Sequence, residues 1–329
     1  MKSISQCIAA YLDNVHLARS ESTAKTYKNA LNGFTKTLKG RKYPPEQTSI
    51  DELNEDAIGW FAADLKEYSP ATERLYLTAV TGFYEYLAAE ELSNINLPRL
   101  RLLIKQRARR PGTRLPQFPR DSIEHVLIYL DELMTKPVED KSERFINLRD
   151  RAFLFALADT GLRVHEACAL RRGDLDWNEG KAIVIGKGNQ EAIVRFSNRS
   201  IRALKEYLNT RAELDGNSGR ALTSLPLFAR HDKGAGKKVK PITTTTGRNI
   251  VAKRVKECLG KDAVGTITPH SFRHYFVTTV LRGSGGNLKL AQELARHKNI
   301  TVTTRYAHLA DDELDKGYFN IFEQENDKK

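Results

Sequence analysis

One stretch of this chain limits its fold more than any other. From Arg99 to Arg120 it carries eight basic residues and no acid: Arg99, Arg101, Lys105, Arg107, Arg109, Arg110, Arg114 and Arg120. Pro98 precedes the stretch, and Pro111, Pro116 and Pro119 interrupt it. Proline fixes φ and removes a backbone donor, so neither a continuous helix nor a central strand can run through. Part of the segment is expected to be an extended linker, and its unopposed positive charge suits it to lie along a phosphate backbone. The chain on either side then folds as separate bodies. With 329 residues, two domains fit, each long enough to bury a core.

The first body, residues 1–98, reads as a helical bundle. Ser22 is the expected N-cap of a helix on which Tyr27, Leu31, Phe34 and Leu38 recur at helical spacing. Ser69-Pro70 starts another, with Tyr76, Val80, Phe83 and Leu87 on one face. Aromatics at this spacing read as packing rather than base stacking. The second body, residues 121–329, reads as helices around a small sheet. Helices are expected over 121–135, 143–160, 164–170, 198–214, 243–259, 270–282 and 287–296, with Gly161 ending the second of them. Lys181–Ile185 and Glu191–Phe196, flanking Gly186 to Gln190, read as a β-hairpin.

Lys and Arg outnumber Asp and Glu by 53 to 41, and an excess of +12 favours a polyanionic partner. No apolar run approaches the ~18 residues of a membrane span, and the N-terminus lacks the apolar core of a signal peptide. Cys7, Cys168 and Cys258 are far apart and never in CxxC spacing, which argues against a disulfide framework or a zinc site and fits a reducing cytoplasm.

Four patterns in the second body bear on chemistry. Thr160-Gly161-Leu162-Arg163-Val164-His165-Glu166 puts an arginine at a helix start and a carboxylate one turn on. Lys187 lies in the hairpin turn. His270-Ser271-Phe272-Arg273 spaces an imidazole and a guanidinium by one helical turn. His297 precedes Tyr306 by nine residues. Each is weak alone; their order, and the elements that carry them, make a set.

With these four patterns the chain resembles the tyrosine site-specific recombinases of the phage integrase family, of the Xer-type or Cre-type, over essentially its whole length. Members carry TGLRxxE or a close variant, a hairpin lysine, HxxR, and a histidine nine residues before the nucleophilic tyrosine. Two features depart from the pattern: Ala295-Arg296-His297 stands where Leu-Gly-His is common, and Gly283-Ser284-Gly285-Gly286 makes an unusually glycine-rich connection. The resemblance implies a mainly α fold with a small antiparallel β-sheet. It comprises a SAM-like helical core-binding domain over 1–98, a basic linker over 99–120 and an α+β catalytic domain over 121–329.

The resemblance also implies the reaction, in which DNA strands are cleaved and rejoined through a 3′-phosphotyrosyl bond, without metal or other cofactor. Tyr306 supplies the phenolate. Arg163 and Arg273 hold the non-bridging oxygens through forked hydrogen bonds, and His297 adds another. His270 is the expected base or proton shuttle, and Lys187 the acid for the leaving 5′-oxygen. Glu166 orients the basic groups. His165, His274 and His308 are read as structural. Arg99, Arg101, Lys105, Arg107, Arg109, Arg110 and Arg114 are the expected backbone contacts. The implied partner is double-stranded DNA with a specific site, bound by a homotetramer; a heteromeric recombinase partner or an accessory activator stays open. Leu314, Tyr318, Ile321 and Phe322 are expected to dock on a neighbouring protomer. The helical body starts near residue 1, which favours a simple recombinase without an arm-binding domain. Three other readings remain: a type IB topoisomerase-like enzyme, a non-catalytic DNA-binding factor on the same fold, and, weakest, a metal nuclease.

Overall fold

The structure is a computed structural model that describes residues 2–109, 120–186, 190–232, 234, 238–304 and 306. The chain forms two compact units, Met1–Arg114 and Leu115–Lys329. Among the described residues no helix is long and apolar enough to cross a membrane.

The first unit is built from helices α1 (Ile4–Ala18), α2 (Glu21–Gly40), α3 (Asp56–Asp64), α4 (Pro70–Ala89) and α5 (Leu97–Arg107). Local signals set their ends. Ser3 and Gln6 close a capping box on α1, and Ser69 with Pro70 starts α4 as expected. Helix α2 begins earlier than expected, because Ser20 rather than Ser22 caps it by accepting the Thr23 N–H. Leu31, Phe34, Leu38, Val80, Phe83 and Leu87 are fully buried. Phe34 and Phe61 meet edge to face at 5.4 Å, so these aromatics pack a core.

Of the stretch from residue 99 expected to be in part an extended linker, the portion up to Arg107 is helical, in α5. Asn96 caps it by accepting the Arg99 N–H at 2.9 Å. Pro98 falls in its first turn, where the missing N–H costs nothing, and the next proline lies beyond its end. Leu100 is buried in the core of this unit.

The second unit contains α6 (Arg120–Thr135), α7 (Lys141–Thr160), α8 (Val164–Ala169), α9 (Asn198–Thr210), α10 (Ala212–Gly216), α11 (Thr244–Leu259), α12 (Pro269–Gly283), α13 (Leu288–Ala295) and α14 (Ile300–Thr304). Helix α7 is its centre, buried continuously from Ala152 to Ala158 and packed against α6, α9 and α12. Gly161 ends it with φ 61°, and a Cβ there would meet the Phe276 ring at 2.4 Å, so only glycine fits. The helix expected over 198–214 is broken at Arg211 into α9 and α10.

The sheet has three antiparallel strands, β1 (Leu175–Asp176), β2 (Lys181–Ile185) and β3 (Glu191–Arg195), in that spatial order. Ile185 pairs with Glu191, which fixes the hairpin register. The two-residue β1 was not expected; nothing that short has a periodicity to read.

A buried tyrosine and a half-buried histidine join these elements. Tyr207 Oη accepts from the Arg211 guanidinium at 2.9 Å and from the Ala229 N–H at 3.1 Å. Both lone pairs are then used, so its own hydrogen goes to His231 Nε2, 2.7 Å away. His231 must be unprotonated at Nε2. Burial, followed by the nearby charges of Arg149 and Arg211, pushes its pKa down to about 3. The unfolded chain binds this proton below pH ~6.5 and the folded chain does not, so stability falls as pH drops through that point. At pH 5 the loss from His231 is expected to reach about 2 kcal/mol. Urea unfolding at pH 7.5 and pH 5 checks this: His231→Gln should show a smaller loss on acidification than the wild type.

Candidate active site

Four segments of the second unit converge. The turn after α7 and the start of α8 carry Gly161, Arg163 and Glu166. The first turns of α12 carry His270, Arg273 and His274. The connection from α13 through α14 carries Arg296, His297 and Tyr306. The β2–β3 hairpin approaches from the side.

Glu166 organises the first segment. It is buried, yet it accepts the Arg163 N–H at 2.9 Å and the Arg163 guanidinium at 2.8 Å, and it pairs with the Arg296 guanidinium at 3.0 Å. Burial alone would raise its pKa, but the Arg163 amide and the two guanidiniums outweigh it and hold the carboxyl below the usual range. Glu166 therefore stays ionised and fixes the Arg163 side chain, which remains partly exposed.

Arg273 is 3% exposed. Its guanidinium donates to the carbonyl of Gly161 at 2.5 Å and to that of Ala295. One side chain thereby joins the segment carrying Arg163 to the segment carrying His297 and Tyr306. Burial, then the charges of Arg163 and Arg296, push its pKa down to about 10, so it remains cationic at neutral pH.

Arg296 accounts for the departure from Leu-Gly-His. It takes the left-handed conformation, φ 58° and ψ 45°, which glycine adopts without penalty and other residues at about 1–2 kcal/mol. Its ion pair with Glu166 and a 3.5 Å contact to the Gly161 carbonyl work against that cost.

His297 Nδ1 shares a hydrogen with Thr303 Oγ1 at 2.9 Å, and its carbonyl accepts from Gln292 at 3.1 Å. Burial, followed by Arg273 and Arg163, pushes its pKa down to about 4. His270 is exposed at the start of α12; packing around its ring, then Arg273 and Arg163, lower its pKa.

Tyr306 is 5% exposed and packs with Phe276, Val277, Leu281, Ala291 and Ala295. Its hydroxyl is hydrogen-bonded to His274 Nδ1. His270, the expected proton acceptor, stands one helical turn away, with its ring edge-on to His274 at 4.3 Å. Sequence reasoning set His274 aside as structural. The signal was present, because His270 and His274 are spaced i, i+4 and share one helix face.

Lys187 lies outside the described residues. The base of its turn is in place: a Cβ on Gly186 would lie 3.9 Å from Glu166 Oε1, and Gly186 N–H donates to the Gln190 carbonyl at 2.8 Å. His165 is exposed on α8, and His308 lies outside the described residues. Among the described residues no group of three His, Cys, Asp or Glu could hold a metal ion.

The expected backbone contacts of the first unit are partly engaged at home. Arg99 pairs with Glu55 and Asp56 at 2.7 Å each, Arg101 with Glu85 at 2.9 Å, and Arg109 with the fully buried Glu73 at 2.5 Å. Arg107 lies over Gly59, where a Cβ would collide with its guanidinium at 1.4 Å. Lys105 is exposed. Arg110 and Arg114 lie outside the described residues, as does the docking segment Leu314 to Phe322.

Three guanidiniums thus surround one carboxylate beside a buried phenol. Comparison with known proteins places this arrangement. Residues 130–313 match the phage integrase family, and residues 8–91 match the phage integrase N-terminal SAM-like domain. The chain belongs to the phage integrase family. It is 31% identical over 308 residues to the tyrosine recombinase XerC of Thermodesulfovibrio yellowstonii, covering 92% of this chain and 91% of that one. It is 28% identical over 304 residues to XerC of Treponema denticola, covering 91% and 92%. Among solved structures, the XerH site-specific recombinase bound to palindromic difH substrate matches in fold with a TM-score of 0.68, at 19% identity over 96% of this chain and 84% of that one. This family member is therefore a tyrosine recombinase: mainly helical, with a small antiparallel sheet and a SAM-like N-terminal domain.

Proposed function

We propose that this recombinase cleaves and rejoins double-stranded DNA at a specific site, with Tyr306 as the nucleophile and Arg163, Arg273 and His297 around the scissile phosphate. The observation that carries the reading is the charge of the site. Arg163, Arg273 and Arg296 face one carboxylate, Glu166, which leaves a surplus of about two positive charges next to the Tyr306 phenol. Cleavage passes through a five-coordinate phosphorus whose non-bridging oxygens gain negative charge. Fixed guanidiniums stabilise that charge without reorganising. The Tyr306 oxygen bonds to phosphorus, the bond to the 5′-oxygen breaks, and Lys187 supplies the proton to that oxygen. The 3′-phosphotyrosyl bond keeps the energy of the original phosphodiester, so a 5′-hydroxyl of another strand can reverse the step.

Glu166 acts by holding Arg163. Among the described basic residues of the first unit, the exposed Lys105 is a better candidate for a phosphate contact than Arg99, Arg101 and Arg109, which already serve internal carboxylates. The active assembly is a homotetramer on two DNA sites in the cytoplasm, with Leu314 to Phe322 docking between protomers. The XerH recombinase of similar fold is bound to a palindromic difH substrate, and a palindrome presents two equivalent half-sites.

The test is a nicked duplex, selected for binding from a random-sequence pool and incubated with the protein in EDTA. Wild type should leave an SDS-resistant protein–DNA adduct and Tyr306→Phe none. Two such sites on one plasmid should recombine. Relaxation of a plasmid lacking the site would favour the topoisomerase reading.

A further inference from the structure

We propose that His274, rather than His270, takes the proton from Tyr306 as the phenol attacks the scissile phosphate; this rests on the reading of Tyr306 as the nucleophile.

The geometry is direct. Tyr306 Oη is hydrogen-bonded to His274 Nδ1, and the two ring centroids are 5.0 Å apart. A neutral imidazole has one acceptor nitrogen. When Nδ1 faces the phenol as acceptor, the ring hydrogen is on Nε2, and the phenol hydrogen points at the group that must receive it. Tyr306 is 5% exposed, so solvent hydroxide is a poor competitor in the closed pocket. His270 is exposed at the start of α12, where it is better placed to hydrogen-bond a phosphate oxygen arriving from outside.

The electrostatics keep the ring neutral. His270 and Arg273 face His274 from its own helix, and Tyr306 and His297 from the connection after α13. Burial, then His270 and Arg273, push the His274 pKa down to about 4. The ring is thus in its accepting form at neutral pH. Bound DNA adds the negative phosphate that the free site lacks, which lowers the penalty of protonating His274 at the moment of transfer. In the step itself, the phenol proton passes to Nδ1, the Oη–P bond forms, and the P–O5′ bond breaks. In the reverse step the imidazolium returns the proton to Oη.

Single-turnover cleavage of the nicked selected duplex, from pH 6.5 to 9.5, tests the assignment. His274→Ala and His274→Gln should slow cleavage about 10²–10³-fold at pH 7, the range of general-base catalysis. Their rates should climb nearly tenfold per pH unit toward the phenol pKa of ~10. A 5′-bridging phosphorothiolate leaves without a proton, so it should rescue Lys187→Ala but neither His274 variant. Fluorinated tyrosine at 306, with a more acidic phenol, should restore much of the rate to His274→Ala. Cleavage by either variant within threefold of wild type, or uniform slowing at every pH with no gain from the fluorinated phenol, would overturn the role of His274. An adduct that persists in Tyr306→Phe would instead remove the nucleophile reading on which the proposal stands.

Discussion

Arg273→Lys is expected to leave a folded protein that cleaves DNA at least about 10³ times more slowly than wild type, the scale seen when a preorganised donor to a transition-state oxyanion is lost. The reason is shape as well as charge. The Arg273 guanidinium reaches the Gly161 and Ala295 carbonyls together, and those bonds use two of its five N–H donors. A lysine ammonium is a single point and cannot span both carbonyls while also reaching a phosphate. The substitution should therefore loosen the Arg163 segment from the His297–Tyr306 segment as well as weaken the hold on phosphate. Single-turnover cleavage of the selected nicked duplex, with DNA affinity measured alongside, checks this. The rate should collapse while affinity changes only a few-fold, since phosphate contacts elsewhere carry most of the binding.

The second large effect is on stability. Asp150 is fully buried between two arginines. Arg149 donates to Oδ1 at 2.9 and 2.6 Å, and Arg254 of α11 donates to Oδ2 at 2.8 Å while also reaching Asn147 and Glu257. This bridge fastens α11 to the central helix α7. Asp150→Ala leaves two guanidiniums buried without their shared carboxylate, and breaking a buried pair in this way costs about 3–5 kcal/mol. Urea unfolding should show the full loss. Arg254→Met should cost less: it removes the charge from α11, and Arg149 still has Asp150 beside it.

Much of this was legible in the residues because local rules sufficed. Ser69-Pro70 announces the start of α4, Gly161 the end of α7, and β-branched runs around a glycine turn the hairpin. Arg163, Arg273, His297 and Tyr306 stood out through the family resemblance that their motifs carry, and the structure brings them to one place. What escaped needed tertiary information. Proline was read as a helix breaker around residue 99, but Pro98 sits in the first turn of α5, and the burial of Leu100 draws the helix into the core. The basic stretch looked free for DNA because its partners, Glu55, Glu73 and Glu85, lie 16 to 44 residues away in sequence. Arg296 looked like a departure with no role until Glu166, 130 residues earlier, proved to be its partner. His274 shares a helix face with His270 by its i, i+4 spacing, but only the fold brings the Tyr306 phenol against it.

The most direct test of the central claim is the chemical address of the covalent bond. The SDS-resistant adduct formed in EDTA on the selected nicked duplex would be trimmed with nuclease, digested with trypsin and sequenced by mass spectrometry. Residues 306–316 form a tryptic peptide with one tyrosine and no serine or threonine. A nucleotide 3′-phosphate on that peptide, fragmenting at Tyr306, is the predicted result. A nucleotide mapped to any other residue, or a phosphate linked through the 5′ end, would contradict the account.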